Sequence, residues 1–253
     1  MFVKKIPVFL FIMVLVASLF WCRSARAFFP SDEAIDDTMY QKYGALTSYE
    51  ALITFPSEPG TSLRIKRGDD RWQQIFVSNA GGNGTITAKS IGQYFETSAE
   101  CPVNGDLPVS PLQFWVSDDP TSDWKSLGMT NSTRSYGFND GLPVFVFGAE
   151  STDDFSPQIR LDNENFAPLK ITLGAGRSIS FGTYTKFAGF MLPHTGIIAV
   201  GEDSVEFKIE WLGVRQKIDP AVFSAATLKK ESLCGIPNSS VLELLKKCLR
   251  IKP

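Results

Sequence analysis

Histidine is nearly missing from this sequence: His194, after Leu192-Pro193, is the one imidazole in 253 residues. A histidine-rich metal centre is therefore excluded, and a Ser-His-Asp or Cys-His nucleophilic set would have to be built on His194 alone. That residue follows Gly189-Phe190-Met191 at a strand end or loop and reads as a surface or hydrogen-bonded histidine. Cysteine is scarce too, with Cys22, Cys101, Cys234 and Cys248, too few soft ligands beside one imidazole for zinc. Proline and glycine, at 15 and 20, are too few for a disordered or fibrous chain, while 20 phenylalanines supply material for a core. No catalytic or cofactor motif rises above background, so no cofactor is expected.

Long apolar runs are lacking with one exception, from Ile6 to Cys22. Lys4 and Lys5 precede it, and Arg23-Ser24-Ala25-Arg26-Ala27 follows. A basic start, an apolar run and an Ala-x-Ala exit are the parts of a secretory signal. At 17 residues the run falls short of the about 20 that cross a bilayer. Residues 1–27 are therefore read as a cleaved leader, and the remainder as a protein without a membrane span that works outside the cytoplasm, in the periplasm, secreted or at the cell surface. Three cysteines remain after cleavage. Cys234 and Cys248 flank 13 residues and are the expected disulfide, since closing a loop of that size stabilises by about 3 kcal/mol. Cys101, before Pro102, is then either a buried small hydrophobe, the preferred reading, or an intermolecular crosslink.

Charge is unevenly spread. Residues 215–253 carry eight basic side chains against three acidic ones, and residues 28–214 are net −11. An acidic body excludes nucleic acid as a partner, because phosphates demand the opposite sign. The basic tail is suited to an acidic partner, a membrane surface or the body itself.

Between Tyr49 and Arg215 short apolar or alternating runs are separated by turn residues such as Glu58-Pro59-Gly60, Asn139-Asp140-Gly141 and Gly174-Ala175-Gly176. Val205-Glu206-Phe207-Lys208-Ile209-Glu210-Trp211 alternates strictly and predicts a strand with one buried and one wet face. Pro143–Phe147 does not alternate and predicts a strand buried on both. Many short strands with no helical period between them predict an all-β, antiparallel sandwich or jelly roll. Leu63-Arg64-Ile65-x-x-Gly68-x-x-Arg71 echoes Leu169-Lys170-Ile171-x-x-Gly174-x-x-Arg177, as two small duplicated sandwiches would, but one sandwich over residues 49–218 is the preferred reading. Residues 28–48 predict a short N-terminal helix, acidic in its first turn and stopped by Gly44. Residues 219–253 predict a helical hairpin: Asp219-Pro220 starts a helix to Lys230, and Ser240-x-x-Glu243 is a capping box for a second. Val241, Leu244, Leu245, Cys248 and Leu249 share one face of that second helix.

Candidate chemistry lies in loops. Asp118, Asp119, Asp123 and Trp124 place a tryptophan in an acidic stretch, the combination a sugar-binding surface needs: a flat apolar face for the ring and carboxylates for its hydroxyls. Asp153-Asp154 and Glu202-Asp203 are further carboxylate pairs of the kind glycosidases use. Asp162-Asn163-Glu164-Asn165 offers a weak calcium candidate through Asp162 and Glu164, without EF-hand spacing. Sequons occur at Asn83, Asn131 and Asn238. The reading these support is an exported, non-enzymatic binding protein that recognises a glycan or an extracytoplasmic protein. A structural subunit assembled through the tail and a carbohydrate-active hydrolase are the alternatives.

Overall fold

The computed structural model describes residues 29–79, 86–93, 96–99, 110–114, 119–130, 132–228 and 239–249. The leader expected over residues 1–27 lies outside them, as do Cys101, Asp118, Cys234 and the asparagines of all three sequons. The chain divides after Ser31, and the description concerns the unit that begins at Asp32.

Twelve strands form one sheet, in the order β5-β4-β3-β2-β1-β12-β11-β10-β9-β8-β7-β6. They are β1 (Ser48–Thr54), β2 (Ser62–Gly68), β3 (Arg71–Ser78), β4 (Ile86–Gln93), β5 (Glu96–Ala99), β6 (Arg134–Asn139), β7 (Leu142–Phe147), β8 (Gln158–Asp162), β9 (Pro168–Gly174), β10 (Arg177–Phe187), β11 (Phe190–Val200) and β12 (Asp203–Val214). The chain meanders outward from β1 to β5, crosses to the far edge at β6, and meanders back until β12 pairs with β1, antiparallel like the other pairs. The antiparallel β class is as expected, but the two stacked sheets are not: the described strands form one open sheet. Alternation in a strand such as β12 reveals that one face is buried, not what covers it. Val205, Phe207, Ile209 and Trp211 of β12 are buried as the pattern predicts, and helices cover them.

Those helices are α1 (Asp32–Tyr43), α2 (Pro120–Ser126) and α3 (Ser240–Leu249). Ile35, Met39 and Tyr43 recur at i, i+4 and i+8 on α1 and join the same core cluster as the sheet residues and the buried face of α3. A side chain at Gly44 would meet the Tyr40 carbonyl at 2.5 Å, so glycine is required where α1 stops. Helix α2 is tied to α1 by Asp36, which accepts from the Thr121 N–H at 3.1 Å and its hydroxyl at 2.8 Å. Asp32 pairs with Lys125 at 2.6 Å and with Arg134. From Val144 to Phe147, β7 is buried on both faces, while Leu142 and Pro143 are exposed: Phe145 and Phe147 join the main core, and Val144 and Val146 form a smaller cluster with Leu169 and Tyr184.

The tail departs from the expected helical hairpin. Over the described residues 215–228 the chain after β12 makes two 3-10 turns, Pro220–Phe223 and Ala225–Thr227, in place of the expected helix; residues 229–238 lie outside the described ones. This stretch has one buried anchor, Phe223, and no apolar stripe to repay helix nucleation. Side chains of the sheet hold it instead: Gln73 Nε2 donates to the Val222 carbonyl at 2.7 Å and Lys89 Nζ to the Thr227 hydroxyl at 2.9 Å. Helix α3 does form, with Val241, Leu242, Leu244, Leu245, Cys248 and Leu249 buried. Its cap is not the expected Ser240–Glu243 box. Leu242 N–H donates to Ser239 Oγ at 3.1 Å, and Glu58 Oε2, from the β1–β2 turn, accepts from the Val241 N–H at 3.3 Å and the Ser240 hydroxyl at 2.9 Å. Burial would raise the Glu58 pKa, but hydrogen bonds from the Ser239, Thr61 and Ser240 side chains and the Val241 N–H outweigh it and hold the carboxyl below its usual range. The apolar face of α3 packs on β11 and β12 of its own chain, so it is not left open for assembly. Among the described residues, no helix is long and apolar enough to cross a membrane.

Candidate functional site

Four separate stretches of chain converge on a cleft of about 280 Å³. The β6–β7 turn contributes Asn139, Asp140 and Leu142. Asp140 and Gly141, with φ of 51° and 81°, supply the two left-handed residues of a tight hairpin turn, which Asp-Gly favours. The β8–β9 turn contributes Asp162, Asn165 and Ala167. Here Asp162 Oδ1 accepts from the N–H groups of Glu164 at 3.0 Å and Asn165 at 2.6 Å, a turn fixed by its own side chain. β9 and β11 contribute Leu169 and Met191, and β10 contributes Phe181 to Tyr184. Thr183 stands there at φ 49°, a backbone region costly for a β-branched residue. The β10–β11 pairing passes from Gly182–Thr195 to Tyr184–Pro193 across it.

Leu142, Leu169, Phe181 and Met191 make the lining largely apolar, while Asn139, Asp140, Asp162 and Asn165 bring amides and carboxylates to it. The Tyr184 hydroxyl donates to the Pro168 carbonyl, and the Tyr43 hydroxyl to the Met191 carbonyl at 3.4 Å. Burial pushes both phenols above the usual tyrosine range, with the Asp162 carboxylate adding to the effect. Both therefore stay protonated donors at neutral pH. A second depression, of about 380 Å³, shares Asp140, Phe181 and Gly182 with the first and continues over Ser180, Thr195, Ile197, Glu206 and Lys208.

Of the candidate residues singled out in the sequence, Asp162 lines the cleft; the other described ones lie elsewhere. Trp124 is 1% exposed, on α2 rather than in a loop, and meets Phe147 edge-on at 5.3 Å; it has no open face for a sugar. Asp119 caps α2 by accepting from the Ser122 N–H at 3.1 Å, and Asp123 sits in the first turn. Asp162 and Glu164 flank the polar turn just described. Among the described residues no group of three or more metal-ligating side chains forms. Cys248 is a free thiol at 0% exposure, its Sγ set against the carbonyls of Ser178 at 3.8 Å and Ala199 at 3.9 Å. The expected disulfide is thus not formed: α3 turns Cys248 into the sheet. His194 Nε2 lies 2.6 Å from the Thr185 hydroxyl, a hydrogen-bonded surface position. Asp153 accepts from the N–H groups of Phe155 and Ser156 at 2.8 and 2.9 Å, while Asp154 pairs with Arg160 at 2.7 Å.

The sheet and its clefts define an antiparallel β protein with an open, partly apolar surface site. No family model and no curated protein matches the chain by sequence. Among solved structures it is similar to a LolA superfamily protein from Nitrosomonas europaea, at 10% identity and a TM-score of 0.49, covering 79% of this chain and 100% of that one. It is also similar to a DUF1329 family protein from Desulfovibrio piger, at 10% identity and a TM-score of 0.43, with the same coverage of both chains. Neither similarity carries a statement about function.

Proposed function

We propose that the protein acts outside the cytoplasm as a non-enzymatic binding protein, and that its ligand is a glycan segment held in the cleft between the β6–β7 turn, the β8–β9 turn and β10. The observation that supports this most directly is the company of side chains there. A sugar ring has an apolar face and a rim of hydroxyls. Leu142, Leu169, Phe181 and Met191 suit the first, and Asn139, Asp140 and Asn165 suit the second. Polar groups few in number on an apolar lining are the usual make-up of a small-ligand site. The adjoining depression gives a chain of rings a direction in which to continue. Location outside the cytoplasm rests on the leader-like residues 1–27.

The test is a glycan array with the exported chain, followed by calorimetry on the strongest hit. Asp140→Asn keeps a residue that tolerates φ 51° while removing the charge, and Leu142→Ser removes the most exposed apolar wall. Together they are expected to weaken binding by about tenfold or more, the loss of one or two good contacts. A chain that binds no glycan on the array, or a double variant as tight as the parent, would overturn the proposal.

A further inference from the structure

A separate basin, of about 350 Å³, opens where the start of β1, the β2–β3 turn and the segment after β12 meet. It shares no residue with the two clefts above. Arg71, Arg215 and Lys217 border it, against one carboxylate, Asp69. None of these three cations has an ion-pair partner among the described residues, whereas Arg64, Lys66, Lys125, Arg134, Arg160 and Lys170 all do. In a body with an excess of carboxylates, three cations without ion pairs around one hollow concentrate positive potential there.

The backbone holds them there. Arg215 sits at φ 57°, a conformation that glycine or asparagine would adopt at less cost. Its N–H donates to the Ser48 carbonyl at 2.8 Å, and the Ser48 hydroxyl donates to the Gln216 carbonyl at 2.7 Å. The exit from β12 is thereby fastened to β1, and Arg215 and Lys217 are presented from a fixed turn. Arg71 lies over the Phe223 ring at 5.5 Å, which restrains its guanidinium from the other side. Pro220 and Phe223 add an apolar wall.

We infer that this basin is an anion site and that its ligand is a phosphate dianion, free or as a monoester. Three cations suit a charge of −2, and guanidinium forks pair with phosphate oxygens two at a time; a single carboxylate would leave most of the positive charge unmet. The test is titration of the whole exported chain with inorganic phosphate at fixed ionic strength, followed by calorimetry or amide chemical shifts. Saturable binding is expected, weakened by about tenfold or more in Arg215→Gln/Lys217→Gln. Both residues are exposed, so the urea midpoint should hold, and Arg215→Lys/Lys217→Arg, which keeps the charge, should lose less affinity than the neutral pair. Sedimentation with phosphatidate-containing vesicles, competed by phosphate, would identify a lipid headgroup as the carrier; phosphate binding without sedimentation would identify a soluble one. Absence of saturable phosphate binding, equal affinity in the neutral double variant, or acetate binding as tightly as phosphate would overturn the inference.

Discussion

Leu245→Ala separates two roles for the C-terminal helix. Leu245 is 1% exposed, on the face of α3 that packs against β11 and β12. Its neighbours in the core cluster include Val241, Leu242, Cys248 and Leu249 on the same helix. Truncating a buried leucine removes its transfer free energy and leaves a cavity, together about 2–5 kcal/mol. The upper half of that range applies here, because α3 is pinned at its N-terminus by Glu58 and Ser239 and cannot easily collapse into the gap. For a chain of this size each kcal/mol moves the thermal midpoint by about 2–4 °C. Urea unfolding, followed by circular dichroism and tryptophan fluorescence, should therefore shift far outside error for Leu245→Ala. Lys247→Ala, on the exposed side of the same helix, should stay within about 0.5 kcal/mol. A loss below about 1 kcal/mol for Leu245→Ala, or a variant that keeps its stability while an oligomer dissociates, would refute the packing described and return the leucine face to the role of an assembly surface.

Two other outcomes follow from single residues. Burial pushes the Cys248 thiol up to about 11, against a smaller pull downward from Arg177 and the Ser178 backbone. The native state thus holds this proton after the unfolded chain, with its ordinary thiol, releases it; the contribution is complete below the unfolded value and is lost as pH rises from about 8.5 towards 11. The parent should lose stability over that window more steeply than Cys248→Ala, and its thiol should resist iodoacetamide at pH 8 until urea is added; equal slopes, or rapid native labelling, would contradict this. Ala188, at φ 49° beside Gly189 at 96°, occupies a left-handed position in the β10–β11 turn. Ala188→Asn should raise stability by about 0.5–1 kcal/mol, since asparagine tolerates that region better; a lower urea midpoint would count against the turn as described.

Much of the sheet was legible because alternation is a local property. The strict pattern of Val205–Trp211 became a strand with the burial it predicted, and in the apolar block Pro143–Phe147 the residues from Val144 on are buried while Pro143 is exposed. What lay across from those faces was not legible, since periodicity carries no information about the covering layer. Helix punctuation was read at one of two equivalent places. Asp-Pro at Asp219-Pro220 promised a helix and gave a 3-10 turn, while the same pair at Asp119-Pro120 was taken for a loop and starts α2. The difference lies in the burial that follows: Thr121 and Trp124 reach the core on α2, whereas only Phe223 does after Pro220. The cap of α3 escaped because Glu58 comes from the far end of the sequence. The cleft escaped for a similar reason. Its turns were marked by Asn139-Asp140-Gly141 and Asp162-Asn163, but nothing in the residues around Thr183 announces a left-handed position inside a strand.

The seam between the first and last strands has a consequence for how the chain reaches its native state. Tyr49 pairs with Val214 and Thr54 with Lys208, so one whole side of β1 has no ladder partner until almost the entire sequence is available. A sheet closed in its middle cannot be completed by adding strands in order of synthesis. Non-local closure of this kind is slow, and an open strand edge in the interim invites pairing with another chain. Keeping the open edge of β1 away from other chains until β12 is present is the condition this topology imposes.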